Sequence, residues 1–179
     1  MAVAAVVLAA GAASRFGSPK QRLLLPAVLD AVQASAAVDD VVVVLGAHDA
    51  DARGVRTVRC DEWARGPGAS LRCGLGALGE DAEAAVVVLA DGPELAPAAI
   101  VRVVAAWRSG RAELVAASYG GVRGHPLVLA RSGWGDVPDA GLRAREPELV
   151  PCDDLGAPGD VDYPGDVPER FRKGTGEPM

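Results

Sequence analysis

The chain has 179 residues, half of them hydrophobic and 23% charged, a length and polarity that allow a buried core and exclude a disordered chain. The net charge of −6 argues against nucleic acid as a partner, because a duplex is bound by a basic face. No apolar run reaches the roughly 18–20 residues of a membrane span, so no membrane partner is expected either.

Residues 3–9 are a near-continuous run of Val, Ala and Leu. A run without alternation fits a strand of a parallel sheet covered on both faces. The apolar stretch 1–10 has no basic n-region and breaks at Gly11, so a first strand is expected there and not a signal peptide. Helical spacing of Val28, Leu29, Val32 and Ala36 predicts a helix over 26–37, opened by Pro26. Buried strands are expected at 40–45 and 85–89, and a shorter one at 55–59. A short helix over 70–78 would be capped by Ser70. Residues 97–108 read as a helix with Pro97 at its start, Ile100, Val101, Val104 and Trp107 on one face, and Ser109-Gly110 as its stop. Residues 114–118 and 126–130 are expected to pair antiparallel around Gly120-Gly121. From about 131 the chain turns irregular and rich in Pro, Gly and Asp. Strands alternating with helices argue for an α/β fold, a three-layer, Rossmann-like, doubly wound and mostly parallel sheet. One domain over 1–170 is expected, with 171–179 as a flexible tail.

The chemistry gathers at the end of the first strand. Leu8, Ala9 and Ala10 lead into Gly11, Ala12, Ala13, Ser14, Arg15 and, further on, Lys20. In an open α/β sheet, ligands sit at the carboxyl ends of the strands. Small residues let backbone N–H groups approach an anion closely. Arg15 offers a planar fork that matches phosphate oxygens, and Lys20 a point charge on a flexible arm. This is a triphosphate cradle of neither common type. Lys20 lies between Pro19 and Gln21 and not in a Gly-Lys-Ser/Thr run, and Gly11 and Gly17 are too far apart for a dinucleotide fingerprint.

Asp91 ends an apolar strand before Gly92-Pro93, where a carboxylate points into the same crevice. Asp160 and Asp162 are two apart, so on an extended segment they face one side. Hard oxygen ligands of this kind suit Mg²⁺, which takes one or two carboxylates together with phosphate oxygens. His125 is one of two histidines; the other, His48, reads as a loop residue. Trp107 reads as core, and Trp63 and Trp134 either line the cleft or pack. Cys60, Cys73 and Cys152 are odd in number and form no C-x-x-C motif. Reduced thiols in a cytoplasmic protein are therefore expected, with Cys73 buried and inert.

The stretch from Leu8 to Lys20, L-A-A-G-x-x-S-R-F-G-x-x-K, resembles the signature of MobA-like nucleotidyltransferases, and most of all the molybdenum cofactor cytidylyltransferases. Trp63, Gly66, Ser70-Leu71 and Gly74 resemble that group's W-x-x-G-x-x-x-S-L-x-x-G. The strand 86–93 resembles its strand ending in Asp-Gln-Pro. Gly124-His125-Pro126, the stretch from Asp139 to Arg143, and the stretch from Asp160 to Pro164 resemble its later motifs, in the same order.

The resemblance implies a nucleotide-diphospho-sugar transferase-like fold. It also implies Mg²⁺-dependent transfer of a nucleoside monophosphate, CMP from CTP, to a phosphorylated small molecule such as molybdopterin. Guanylyl or sugar-phosphate nucleotidyl transfer and a non-catalytic nucleotide-binding module are the alternatives. It implies nucleotide contacts from Leu8, Ala9, Ala10, Gly11, Ser14, Arg15, Lys20, Gly66 and Ser70. Arg15, Lys20 and Asp91 would be catalytic. Asp91 and Asp162 would be metal ligands with Asp160 in support, and His125, Asp139 and Arg143 would lie on the acceptor side. The chain departs from the pattern in three places. The stretch after Lys20 is short, which would shift Lys20 or open the cleft. Gly92 replaces Gln. Tyr163 replaces Thr, and Pro138 replaces the Gly before Asp139.

Overall fold

The computed structural model describes residues 1–172. Its centre is a seven-stranded sheet in the order β3-β2-β1-β4-β6-β5-β7. The strands are β1 (Ala2–Ala9), β2 (Asp40–Leu45), β3 (Arg56–Arg59), β4 (Ala82–Leu89), β5 (Leu114–Tyr119), β6 (Val122–Ala130) and β7 (Glu148–Pro151). β1 pairs parallel with β2 and β4, β2 with β3, and β5 with β7. β6 alone runs against its neighbours, β4 and β5. The sheet is thus mostly parallel and doubly wound, as the alternating elements predict.

Both faces are covered, which explains the unbroken apolar strands. Along β1, Val3, Ala5 and Val7 pack on one face with Val28, Leu29 and Val32 of α1 (Gln21–Ser35) and Ile100, Val103 and Trp107 of α3 (Pro97–Gly110). Val6 packs on the other face with Leu71 and Leu75 of α2 (Pro67–Gly76) and with Val137 and Leu142 of the irregular segment. The two-residue period of a strand sorts neighbouring side chains into these two cores.

β4 begins three residues earlier than expected, at Ala82, and four further differences are instructive. α1 starts at Gln21 and carries Pro26 inside it. An interior proline costs about 3 kcal/mol of helix propensity. Leu24 and Leu25 are both fully buried, and burying two leucines offsets that cost at about 1.5–3 kcal/mol each. α2 starts at Pro67, so Ser70 lies within the helix and caps nothing. β6 begins at Val122, ahead of Pro126, and tolerates the proline because the ladder to β5 shifts register between Ala116 and Ser118. β7, in the stretch expected to be irregular, adds a strand at the sheet edge. The hairpin around Gly120-Gly121 forms as expected, with both glycines at positive φ, the conformation a two-residue hairpin turn demands.

A short helix, α4 (Glu169–Arg172), enters the segment expected to be a tail; the rest of that segment, 173–179, lies outside the described residues. Among the described residues no helix is long and apolar enough to cross a membrane.

The N-terminus of α2 sits tightly on the irregular segment. The Gly68 N–H donates to the Asp139 carbonyl at 2.9 Å, and a Cβ on Gly68 would fall 1.7 Å from the Pro138 carbonyl oxygen. Because that neighbour is backbone, Gly68→Ala should destabilise the protein by about 1–3 kcal/mol, read as a lower midpoint in urea unfolding at unchanged slope.

Candidate functional site

The carboxyl ends of β1 and β4 open into a cavity of about 520 Å³. One wall is the loop after β1, with Ala10, Gly11, Ser14 and Arg15; another is Trp63, Gly66, Pro67 and Ser70; the floor is Leu8, Leu89 and Asp91. Every residue expected to contact the nucleotide therefore faces one space.

The loop is held by its carbonyls. The Ala10 carbonyl accepts from the Ala47 N–H at 3.0 Å. Gln21 Nε2 donates to the Gly11 carbonyl at 2.8 Å, and His48 Nε2 to the Ala12 carbonyl at 2.9 Å. Among the described residues, no carbonyl accepts from the amides of Gly11, Ala12, Ala13, Ser14 or Arg15. A loop whose acceptors are tied outward and whose donors are left free is a nest of the kind that can receive an anion. Gln21 and His48 were not assigned a site role from the sequence. Gln21 has a weak signal in its place beside Lys20; His48 has none, because its partner lies 36 residues away.

Lys20 ends the loop and precedes α1. Its side chain is buried, with Nζ 3.1 Å from Asp91 Oδ2, 2.5 Å from the Val161 carbonyl and 3.4 Å from Asp162 Oδ1. The short stretch after Lys20 does not displace it: α1 starts at once and Lys20 reaches the carboxylates. Arg15, exposed, pairs with Asp162 Oδ2 at 3.3 Å.

Asp91, Asp160 and Asp162 present carboxylate oxygens within 4.8 Å of one another. Partial burial, and then the neighbouring Asp91 and Asp162 carboxylates, push the Asp160 carboxyl up from its ordinary range. Asp91 Oδ1 is buried and has no hydrogen-bond partner, an expensive state for a carboxylate oxygen. A bound divalent cation would resolve both features, so the residues present fit one. Gly92 contributes through what it lacks: a Cβ there would lie 3.0 Å from Pro158 Cβ and 3.3 Å from the Gly159 carbonyl. The loop that carries Asp160 thus packs closely against Gly92.

The expected acceptor residues separate. His125 and Arg143 line a second cavity of about 370 Å³ that shares Leu8, Pro67 and Leu89 with the first. Asp139 is engaged elsewhere. Its carboxylate takes Arg72 at 2.5 Å and Arg65 at 3.1 Å, and the Arg72 hydrogen bond, before the others, holds its carboxyl below the usual range. It braces the start of α2. Burial, and then Arg123, lower the His125 imidazole to about 4, so it is neutral at physiological pH. Tyr119 donates its hydroxyl to the His125 carbonyl at 2.9 Å.

The expectation of reduced cysteines is overturned for two of the three. Cys60 and Cys73 form a disulfide, with Cα atoms 5.7 Å apart, inside the usual range. It closes the loop that carries Trp63, Gly66, Pro67 and Ser70. Their separation of 13 residues and the absence of a short motif hid it, since proximity comes from α2 folding back over the end of β3. Cys152 is free and buried.

A family model for the MobA-like NTP transferase domain matches residues 5–149. Among solved structures, Rv0371c from Mycobacterium tuberculosis H37Rv is similar over 97% of both chains, at 29% identity and a TM-score of 0.74. The structure of Rv0371C in complex with manganese is similar over the same share of each chain, at 26% identity and a TM-score of 0.64. A nucleotidyl transferase from Methanothermobacter (Mth528) covers 96% of this chain and 98% of its own, with 21% identity and a TM-score of 0.71. The fold is that of the nucleotide-diphospho-sugar transferases. No curated protein matches.

Two outcomes follow from this geometry. Reducing the disulfide should lower stability by about 3 kcal/mol, the loop-entropy value for a closure of this length, read as a lower melting temperature with dithiothreitol than without. The His125 proton resonances should stay in their neutral positions from pH 8 to pH 5. Because the unfolded chain protonates His125 near 6.5 and the folded chain only near 4, stability should fall as the pH drops through that window. Replacing His125 with Asn should flatten that fall.

Proposed function

The chain belongs to the MobA-like NTP transferase family, and from that footing we propose that it transfers CMP from CTP to a phosphorylated small molecule such as molybdopterin, releasing pyrophosphate. The observation that carries the reading is the Lys20 ammonium bonded to Asp91 beside the acidic triad, at the mouth of the nest-lined cavity. The cytidylyl choice rests on the Gly124-His125-Pro126 motif and on the stretch from Asp160 to Pro164.

The free amides of Gly11 to Arg15 receive the triphosphate oxygens. Trp63, Gly66 and Ser70 form the wall against which the nucleoside lies. Arg15 and Lys20 hold the β- and γ-phosphates and stabilise the charge that collects on them as pyrophosphate leaves. An oxygen of the acceptor phosphate attacks the α-phosphorus in line. One phosphorus–oxygen bond forms as the bond to pyrophosphate breaks, and no covalent link to the protein is needed. A divalent cation, Mg²⁺ in this proposal, would be held by Asp91 and Asp162 with Asp160 beside them, and would neutralise charge on the phosphate oxygens. Asp91 thus serves the cation and also orients Lys20.

The test is pyrophosphate release with each of CTP, GTP, ATP and UTP in the presence of Mg²⁺, with and without molybdopterin. Release with CTP only when acceptor is present supports the proposal. Release with another nucleotide corrects the base. Silence with all four, together with a CTP-induced gain in thermal stability, marks a nucleotide-binding module without turnover. Asp91→Asn should lower turnover at least about 100-fold, the scale of removing a group that stabilises transition-state charge. It should keep most CTP binding, read by calorimetry.

A further inference from the structure

Two cavities lie beyond the nucleotide cavity, and a register feature of β6 creates both. β4 and β6 pair from Ala84 opposite Ala130 to Val87 opposite Leu127 and no further. Val88 and Leu89, at the end of β4, thus have no partner on β6. On its other side, β6 loses register with β5 between Ala116 and Ser118. The start of β6 splays away from β4, and Arg123, Gly124 and His125 line the space on both sides of the gap.

The second cavity, about 370 Å³, has a floor of Leu8, Leu71, Val87 and Leu127, with no carboxylate among its lining residues. Its charges are Arg123 and Arg143. The Arg123 guanidinium is half-buried and is fixed through a single nitrogen, which donates to the Leu142 carbonyl at 3.0 Å and the Arg145 carbonyl at 2.8 Å. Among the described residues no carboxylate forms an ion pair with it, although Asp or Glu pairs with most of the other arginines of the fold. Two carbonyls hold the side chain in place and leave its remaining N–H groups for something else. Burial lowers its hold on the proton, and the Glu146 carboxylate, acting through charge and not through an ion pair, raises it. A planar fork aimed from an apolar wall is matched by a phosphate or carboxylate.

We infer that Arg123 is the specificity-determining residue for the acceptor: it binds the anionic group of a phosphate monoester whose apolar body fills the leucine-lined cavity, with Arg143 adding charge at the rim. This rests on the nucleotidyltransferase reading above and narrows it. The acceptor is an anion on an apolar body, and a bare polar sugar phosphate would leave the leucines unpaired. Neutral His125, beside Arg123, offers a hydrogen bond to the same molecule without adding charge.

The experiment has two arms. In the first, the KM for molybdopterin is measured for Arg123→Met, Arg123→Lys and Arg143→Met, alongside CTP affinity by calorimetry. The acceptor KM should rise about 10- to 100-fold for Arg123→Met, the scale of a hydrogen bond to a charged group, with partial rescue by lysine and CTP affinity unchanged. The exposed Arg143→Met should raise it several-fold and keeps the test open should Arg123→Met fail to fold. An unchanged acceptor KM in folded variants, or CTP affinity falling in parallel, would overturn the inference. The second arm needs no turnover. With CTP and Mg²⁺ present, the wild-type chain should broaden the phosphorus resonance of phenyl phosphate, and Arg123→Met should not. Equal broadening by both, or none by either, sinks the assignment. Broadening that depends on Arg123 in a chain that turns over no nucleotide would instead leave the acceptor cavity standing and remove the reaction.

Discussion

A single buried ammonium ties together three parts of the chain that are distant in sequence. Lys20 stands between the nest loop and α1, Asp91 ends β4, and Val161 and Asp162 belong to the C-terminal segment; Nζ touches all three. A lysine this buried persists only where its charge is matched and its protons are accepted. The carboxylates in turn are drawn close only because the ammonium is among them. Three carboxylates face two cations, Lys20 and Arg15, so the cluster retains a net negative charge that favours a divalent ion. Once such an ion is bound, the balance becomes positive, which favours the polyanionic tail of a nucleotide. Both the position of the loop after β1 and the seating of the C-terminal segment rest on this ammonium.

The parts legible from the sequence are those whose signal is local. The strands β1, β2 and β4 follow from unbroken apolar runs. The cradle follows from its small residues and two cations, and Asp91 from its place at the end of a strand. The Asp160–Asp162 pair follows from its spacing. Features set by tertiary contact were not legible. Helix α1 begins ahead of its proline because Leu24 and Leu25 find a core, which propensity does not encode. β7 is four residues long and pairs with a strand far from it in sequence. The disulfide joins a strand end to a helix that the sequence places apart. Asp139 and Ser70 lie in recognisable motifs, yet their motifs do not say that one braces α2 and the other sits within it. Arg123 precedes a recognised motif by one residue, and its place on the cavity wall, held by two carbonyls, is visible only in three dimensions.

Two of the altered positions act through close backbone packing. Gly92 makes room for the loop carrying Asp160, and Pro138 packs its carbonyl against the glycine at the start of α2. The nucleotide side keeps its full set of loop donors and cations. The two sides meet along Leu8, Pro67 and Leu89, which line both cavities, so a molecule in one is in reach of a molecule in the other.

The reversed direction of β6 has a consequence for how such a protein diversifies. Every other strand points its carboxyl end at the cleft and is followed there by a loop. β6 instead delivers its beginning, a stretch entered from a tight glycine turn at the rim. Changes in residues 122–125 leave the ladder from Leu127 onward, and the parallel strands that carry the nest and the carboxylates, with their pairing intact. The start of β6, which lines the second cavity, can therefore vary while the strands that carry the loop and the carboxylates keep their pairing.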